Sequence, residues 1–281
     1  MAGLPNLGAT CFFNASMQLV ALRQEVHKLM RRPQESETLH QCRDGLQIAT
    51  NELVRGLRSS ASPRVLEESL IRGVFGAWNK VIHGNRQDRD LLGVVAALEH
   101  VLNEQDLPVE LARDDFMLGD GCQRDSAEFL AMLFCALDLG PLHILLMNVF
   151  ERRDEVPLQA LVNSWAAITD AEAKSVDLLT FVIKDRDCMD FHGDGRPFPN
   201  RARLVLSPQV DVQCGARALQ FAVECVVFHS GGDNSGHYMA ASLSSQWILH
   251  DDATPARPMV DLAAVERGAR VISLRRITPI P

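Results

Sequence analysis

The sequence predicts an α+β fold in two lobes, a helical first half packed against an antiparallel sheet formed by the second. Three observations carry that expectation. Up to about residue 140 apolar residues recur every three or four positions, beyond about Leu142 they alternate and become β-branched, and Gly and Pro punctuate both halves.

From Cys11 to about Met30, the residues Phe13, Met17, Val20, Leu22, Val26 and Leu29 fall at the spacing of a buried helix face. Further helical patterns cover Glu37 to Leu57, Arg64 to Val74, Arg89 to Leu102 and Asp125 to Leu137, separated by Pro33, Pro63 and the Gly119–Cys122 turn. Strands are expected at Leu178–Ile183, Ala202–Leu206, Val210–Val212, Leu219–Phe228, Tyr238–Leu243 and Trp247–His250, with turns at Gly193–Arg196 and Ser230–Gly236. A short helix near Leu262–Arg267 and a strand near Ala269–Ile277 close the chain. With no repeat or low-complexity linker, residues 1–281 read as one domain with lobes of about 1–140 and 141–281, and a cleft between such lobes would hold a substrate.

Composition excludes several classes. A chain of 281 residues can bury a full core, and 47% hydrophobic with 23% charged residues is ordinary for a globular protein. A net charge of −8 without clustered Lys and Arg argues against nucleic-acid binding and fits a basic partner better. No apolar run approaches the roughly 20 residues that span a bilayer, and the N-terminus lacks a signal-peptide pattern, so the expected location is cytoplasmic or nuclear. Seven cysteines, at 11, 42, 122, 135, 188, 214 and 225, are odd in number and scattered, as reduced thiols are. No Cys-x-x-Cys pair occurs, and Cys188 with His192 makes a lone ligand pair, so neither a metal, zinc included, nor another cofactor is expected.

Four segments carry chemistry. Cys11 stands where the loop Gly8-Ala9-Thr10 enters a helix, whose unpaired N–H groups and dipole favour a thiolate. Asn6, five residues earlier, could donate to an oxyanion, although an Asn-x-Gly of this kind more often stabilises its own turn. His237, at an exposed strand start after a glycine-rich turn, is the candidate base, followed by Tyr238, the only tyrosine. Asp251, at the end of the next strand and beside Asp252, could orient that imidazole. The fourth segment is Gln123-Arg-Asp-Ser-Ala-Glu-Phe-Leu130, in which Asp125 and Glu128 suit the first turn of a helix.

Taken together these boxes resemble the ubiquitin-specific proteases, a papain-like group of deubiquitinases. Gly3 to Gln18 is similar to the family's cysteine box, with Cys11, Asn6 and Gln18 matching and Phe12 and Ala15 replacing the usual Tyr and Ser. Gln123 to Phe129 resembles the Gln-x-Asp box, Leu219 to Ala240 the histidine box with His229 and His237 in register, and Trp247 to Asp252 the closing Trp-x-x-x-Asp-Asp element.

The resemblance implies a helical thumb and a β palm, with the fingers subdomain reduced or absent, because few residues and no paired cysteines lie between the Gln-x-Asp and histidine boxes. It implies thiol-dependent hydrolysis of the isopeptide or ester bond at the C-terminal glycine of ubiquitin. Cys11 is then nucleophile, His237 base, Asp251 its orienter and Asp252 an auxiliary. Asn6 would serve the oxyanion, Asp125 and Glu128 would pair with arginines of the ubiquitin tail, Tyr238 would stand beside a narrow tunnel for its glycines, and Gln123 and His229 would complete the substrate-binding set. Two other readings stay open: a catalytically weak ubiquitin-binding pseudoenzyme, and a papain-like protease for another ubiquitin-like modifier. A fingerless form would also suit a microbial effector acting in host cytosol.

Overall fold

The computed structural model describes residues 1–22, 29, 36–59, 65–83, 117–140, 142–147, 154–165, 177–184, 202–214, 217–231, 236–259 and 261–277. The predicted helix over Arg89–Leu102, the turn at Gly193–Arg196, Cys188, His192 and most of the Ser230–Gly236 turn lie outside these residues. By internal contacts the chain divides into two compact units, Met1–Pro141 with His250–Ala256, and Leu142–Leu249 with Arg257–Pro281.

The first unit is helical. Helix α1 (Cys11–Leu22) buries every residue from Cys11 to Ala21, more than an amphipathic surface helix does. Helix α2 (Glu37–Arg58) starts where the Ser36 hydroxyl accepts from the Leu39 N–H at 3.2 Å, and carries Glu37 in its first turn and Arg55 and Arg58 in its last, as the helix dipole favours. Helix α3 (Glu68–His83) follows, and α4 (Ser126–Ala136) carries the Gln-x-Asp box at its start.

Side chains from three of these helices form an aromatic centre. Phe13 meets Phe75 at 4.9 Å and Phe129 at 5.5 Å, and Trp78 meets Phe129 at 5.3 Å between ring centroids. Arg43, 2% exposed, donates to the Ala136 carbonyl at 2.7 Å and to Asp138 at 2.6 Å. That buried guanidinium satisfies the carbonyl end of α4.

The second unit is built on a sheet. The strands of that sheet are β1 (Leu142–Leu146), β3 (Leu178–Lys184), β5 (Gln209–Cys214), β6 (Arg217–Ser230), β7 (His237–Leu243), β8 (Trp247–Asp251), β9 (Thr254–Pro258) and β10 (Ala269–Arg276), although the end of β8 from His250 and β9 as far as Ala256 group with the first unit. They run in the order β1-β3-β10-β6-β7-β8-β9, with β5 also on β6, and close no barrel among the described residues. A separate pair joins β2 (Glu155–Pro157) to β4 (Arg203–Val205), and two short helices, α5 (Leu158–Ser164) and α6 (Leu262–Gly268), complete the described elements. The core gathers Phe181, Phe221, Val226, Phe228, Ile272 and Leu274.

The sheet is mixed where a wholly antiparallel one was expected. β6 pairs antiparallel with β5, β7 and β10, but β1 runs parallel to β3 and β2 to β4. The long connection through α5 lets β1 and β3 share a direction, which a tight hairpin could not.

Candidate active site

Cys11 opens α1, and the loop before it is organised by one side chain. Asn6 Oδ1 accepts from the Gly8 N–H at 3.0 Å, the Thr10 N–H at 3.3 Å and the Thr10 hydroxyl at 3.2 Å, while that hydroxyl accepts from the Leu7 N–H at 3.0 Å. Gly8 at φ 91° and Ala9 at φ 49° take the left-handed turn this wrapping needs. The Asn14 N–H then donates to the Thr10 carbonyl at 3.0 Å, the first helical bond. No acid stands in the first turn of α1. The Gln123 amide donates to that sulfur at 3.7 Å, and Cys11 is 4% exposed.

A second cluster centres on Asp252. Asn6 Nδ2 donates to one carboxylate oxygen at 2.8 Å and Asn14 Nδ2 to the other at 2.7 Å, and the Leu4 N–H donates to the Asp252 carbonyl at 2.9 Å. Gly3 lies so close to this turn that a Cβ would stand 2.9 Å from the Asp252 carbonyl oxygen, which explains the glycine. Asp252 itself takes φ 44°, a conformation aspartate tolerates in a tight turn. Asn6 thus combines the turn-stabilising role with a fixed amide whose N–H rests on Asp252. Asn14 is a site residue that the sequence analysis does not single out; its signal is one of three polar residues, with Ser16 and Gln18, on a mostly apolar helix.

Asp125 is the N-cap of α4, with Oδ1 accepting from the Ala127 N–H at 2.7 Å and the Glu128 N–H at 3.1 Å. Arg124 ion-pairs with Asp120 at 2.6 Å. Asp125, Glu128 and Arg124 line a small pocket together with Phe12, Trp78, Leu118, Phe129 and Met132.

His229, Tyr238 and His237 lie in the second unit. His229 pairs in register with Tyr238, their ring centroids 4.6 Å apart, and Ser230 pairs with His237 at the start of β7. A Cβ on Gly236 would overlap the His229 ring, so glycine is required at the entry to His237. Asp251 ends β8.

Two other titratable groups have shifted equilibria. Burial, reinforced by Glu224, pushes the Cys225 thiol up, so it stays protonated and unreactive. Burial pulls the His250 imidazole down to about 4, keeping it neutral.

This architecture has counterparts among solved structures. The chain is similar to the Ubp8/Sgf11/Sus1/Sgf73 SAGA DUB module bound to ubiquitin aldehyde, with TM-score 0.56 and 11% identity over 99% of this chain and 70% of that one. The same module bound to monoubiquitin gives 0.55 and 12% over 99% and 69%, and a further structure of the module gives 0.53 and 15% over 99% and 68%. The likeness shows the fold. No protein-family model and no curated protein sequence matches the chain.

Proposed function

We propose that the chain is a thiol-dependent deubiquitinase that hydrolyses the bond joining the C-terminal glycine of ubiquitin to its acceptor. The observation that carries this reading is the sulfur of Cys11 at the head of a buried helix with an amide donor resting on it, in a fold like that of a deubiquitinating module. Cys11 Sγ attacks the carbonyl carbon, and His237 takes the thiol proton and returns it to the departing amine. Asp251 orients His237, and the Cys11 N–H with the Asn6 amide stabilises the oxyanion. Water then enters with His237 as base, the thioester C–S bond breaks, and the carboxylate leaves. A nucleophilic residue only 4% exposed favours a slender chain end, which glycines supply. Asp125 and Glu128 would meet the arginines of the tail, where carboxylates accept a guanidinium in bidentate fashion. Asp252 supports Asn6, while Tyr238 follows His237 on β7 and pairs across the sheet with His229. A place of action in the cytoplasm or nucleus belongs to the same proposal.

The test is turnover of a fluorogenic ubiquitin C-terminal amide. Wild type should release the fluorophore, while Cys11→Ala and His237→Ala should each lose at least about 10³-fold in kcat, as removing members of such a unit does. Saturable ubiquitin binding by wild type with no release would leave a pure binder instead, and equal processing of short peptides lacking Gly-Gly would leave a generic peptidase.

A further inference from the structure

We infer that the side-chain amide of Gln123 is a catalytic donor to the oxyanion, in addition to the groups named above. The inference rests on the thiol-protease reading and gives Gln123 a role in bond-making rather than in tail binding.

Gln123 Nε2 lies 3.7 Å from Cys11 Sγ, donating to the sulfur itself. When Sγ bonds to the substrate's carbonyl carbon, the π pair moves to an oxygen one bond from the carbon that the sulfur now holds. A donor already resting on the sulfur is therefore within a small rotation of the roughly 2.7–3.1 Å that oxyanion stabilisation requires. As the intermediate collapses the pair returns, the C–N bond breaks, and the amine leaves with the proton first taken from the thiol.

The backbone holds this donor from both sides. On one side Asn79 accepts from and donates to Leu118, each bond at 3.0 Å, the Cys122 N–H donates to Asp120 at 2.9 Å, and Arg124 pairs with the other oxygen of Asp120 at 2.6 Å. On the other side Asp125 caps α4. Residue 123 therefore enters the reaction with its main chain already fixed, the condition under which an added dipole contributes most. Asn6 is differently committed: its oxygen is bound by the cysteine loop and its N–H group by Asp252, which Asn14 holds in turn. Its amide is set by the loop, whereas that of Gln123 is aimed at the reacting atom.

The test uses the full chain with Gln123→Ala and the near-isosteric Gln123→Glu, both checked for unchanged melting. Three quantities are read: kcat and KM for the fluorogenic ubiquitin amide, affinity for ubiquitin aldehyde, whose adduct carries the tetrahedral oxygen, and the rate of Cys11 alkylation by iodoacetamide, which forms no oxyanion. The inference predicts kcat lower by about 10²-fold or more, KM within about twofold, weaker aldehyde binding by a similar factor to kcat, and alkylation unchanged. A raised KM with kcat intact would overturn it in favour of tail binding, and alkylation falling in step with kcat would overturn it in favour of an effect on the thiol. Absence of turnover in wild type would instead remove the deubiquitinase reading beneath it.

Discussion

His250 shows how burial at one residue becomes a property of the whole chain. Its imidazole titrates near 4 in the folded protein against 6.5 ordinarily, because burial disfavours the charged form. Below pH 6.5 the unfolded chain binds a proton that the folded one refuses, so stability falls with pH through the window from 6.5 to 4. At about 1.4 kcal/mol per pKa unit the loss is on the order of 3 kcal/mol. His250→Gln should remove that part of the slope in denaturation midpoints measured between pH 7 and 4.5; an unchanged slope would contradict the assignment. Residue types were readable from the sequence at this scale, but partners were not. Asn6 in Asn-Leu-Gly-Ala signals an Asx-type turn, which it makes, yet no local pattern tells that its amide rests on Asp252, 246 residues away. Asn14 was passed over for the same reason, since its strongest bond is to that distant carboxylate.

At the scale of elements, α4 carries two demands on one side chain. Asp125→Ala should cost about 1 kcal/mol by orphaning two N–H groups, seen as a lower denaturant midpoint. Asp125→Asn keeps the cap, so it should leave the midpoint within a few tenths of a kcal/mol while raising KM for ubiquitin substrates if the carboxylate pairs with the tail. A Asp125→Asn variant with unchanged KM would confine the residue to capping. Long periodic segments were legible: the expected helices at Glu37–Leu57 and Asp125–Leu137 match α2 and α4 to within a residue or so. The third helix was expected over Arg64–Val74 but runs over Glu68–His83. Gly73 and Gly76 interrupt its pattern, while buried Val74, Phe75, Trp78, Val81 and Ile82 outweigh their weak helix preference. β1, β2, α5 and β9 were not anticipated. β2 is three residues long and α5 seven, too short for periodicity to register, and β9 contains Pro255 and Pro258, which end strands everywhere but at an edge. β9 is an edge strand.

For the whole molecule, fold class followed from the change of texture near Leu142, because helical and strand periods are set by local geometry. Less legible was the division of the chain: His250–Ala256 groups with the N-terminal helices, although Trp247–Leu249 of the same strand groups with the sheet. Leu4, Asn6 and Asn14 bind Asp252 directly, a set of long-range bonds that texture cannot reveal. The central claim, that Cys11 is the nucleophile for the ubiquitin C-terminus, is met most directly by ubiquitin carrying a C-terminal electrophile, followed by intact mass and peptide mapping. The account predicts one adduct, on Cys11, absent in Cys11→Ala. Labelling that persists in Cys11→Ala, or maps to Cys42, Cys122 or Cys135, would contradict it.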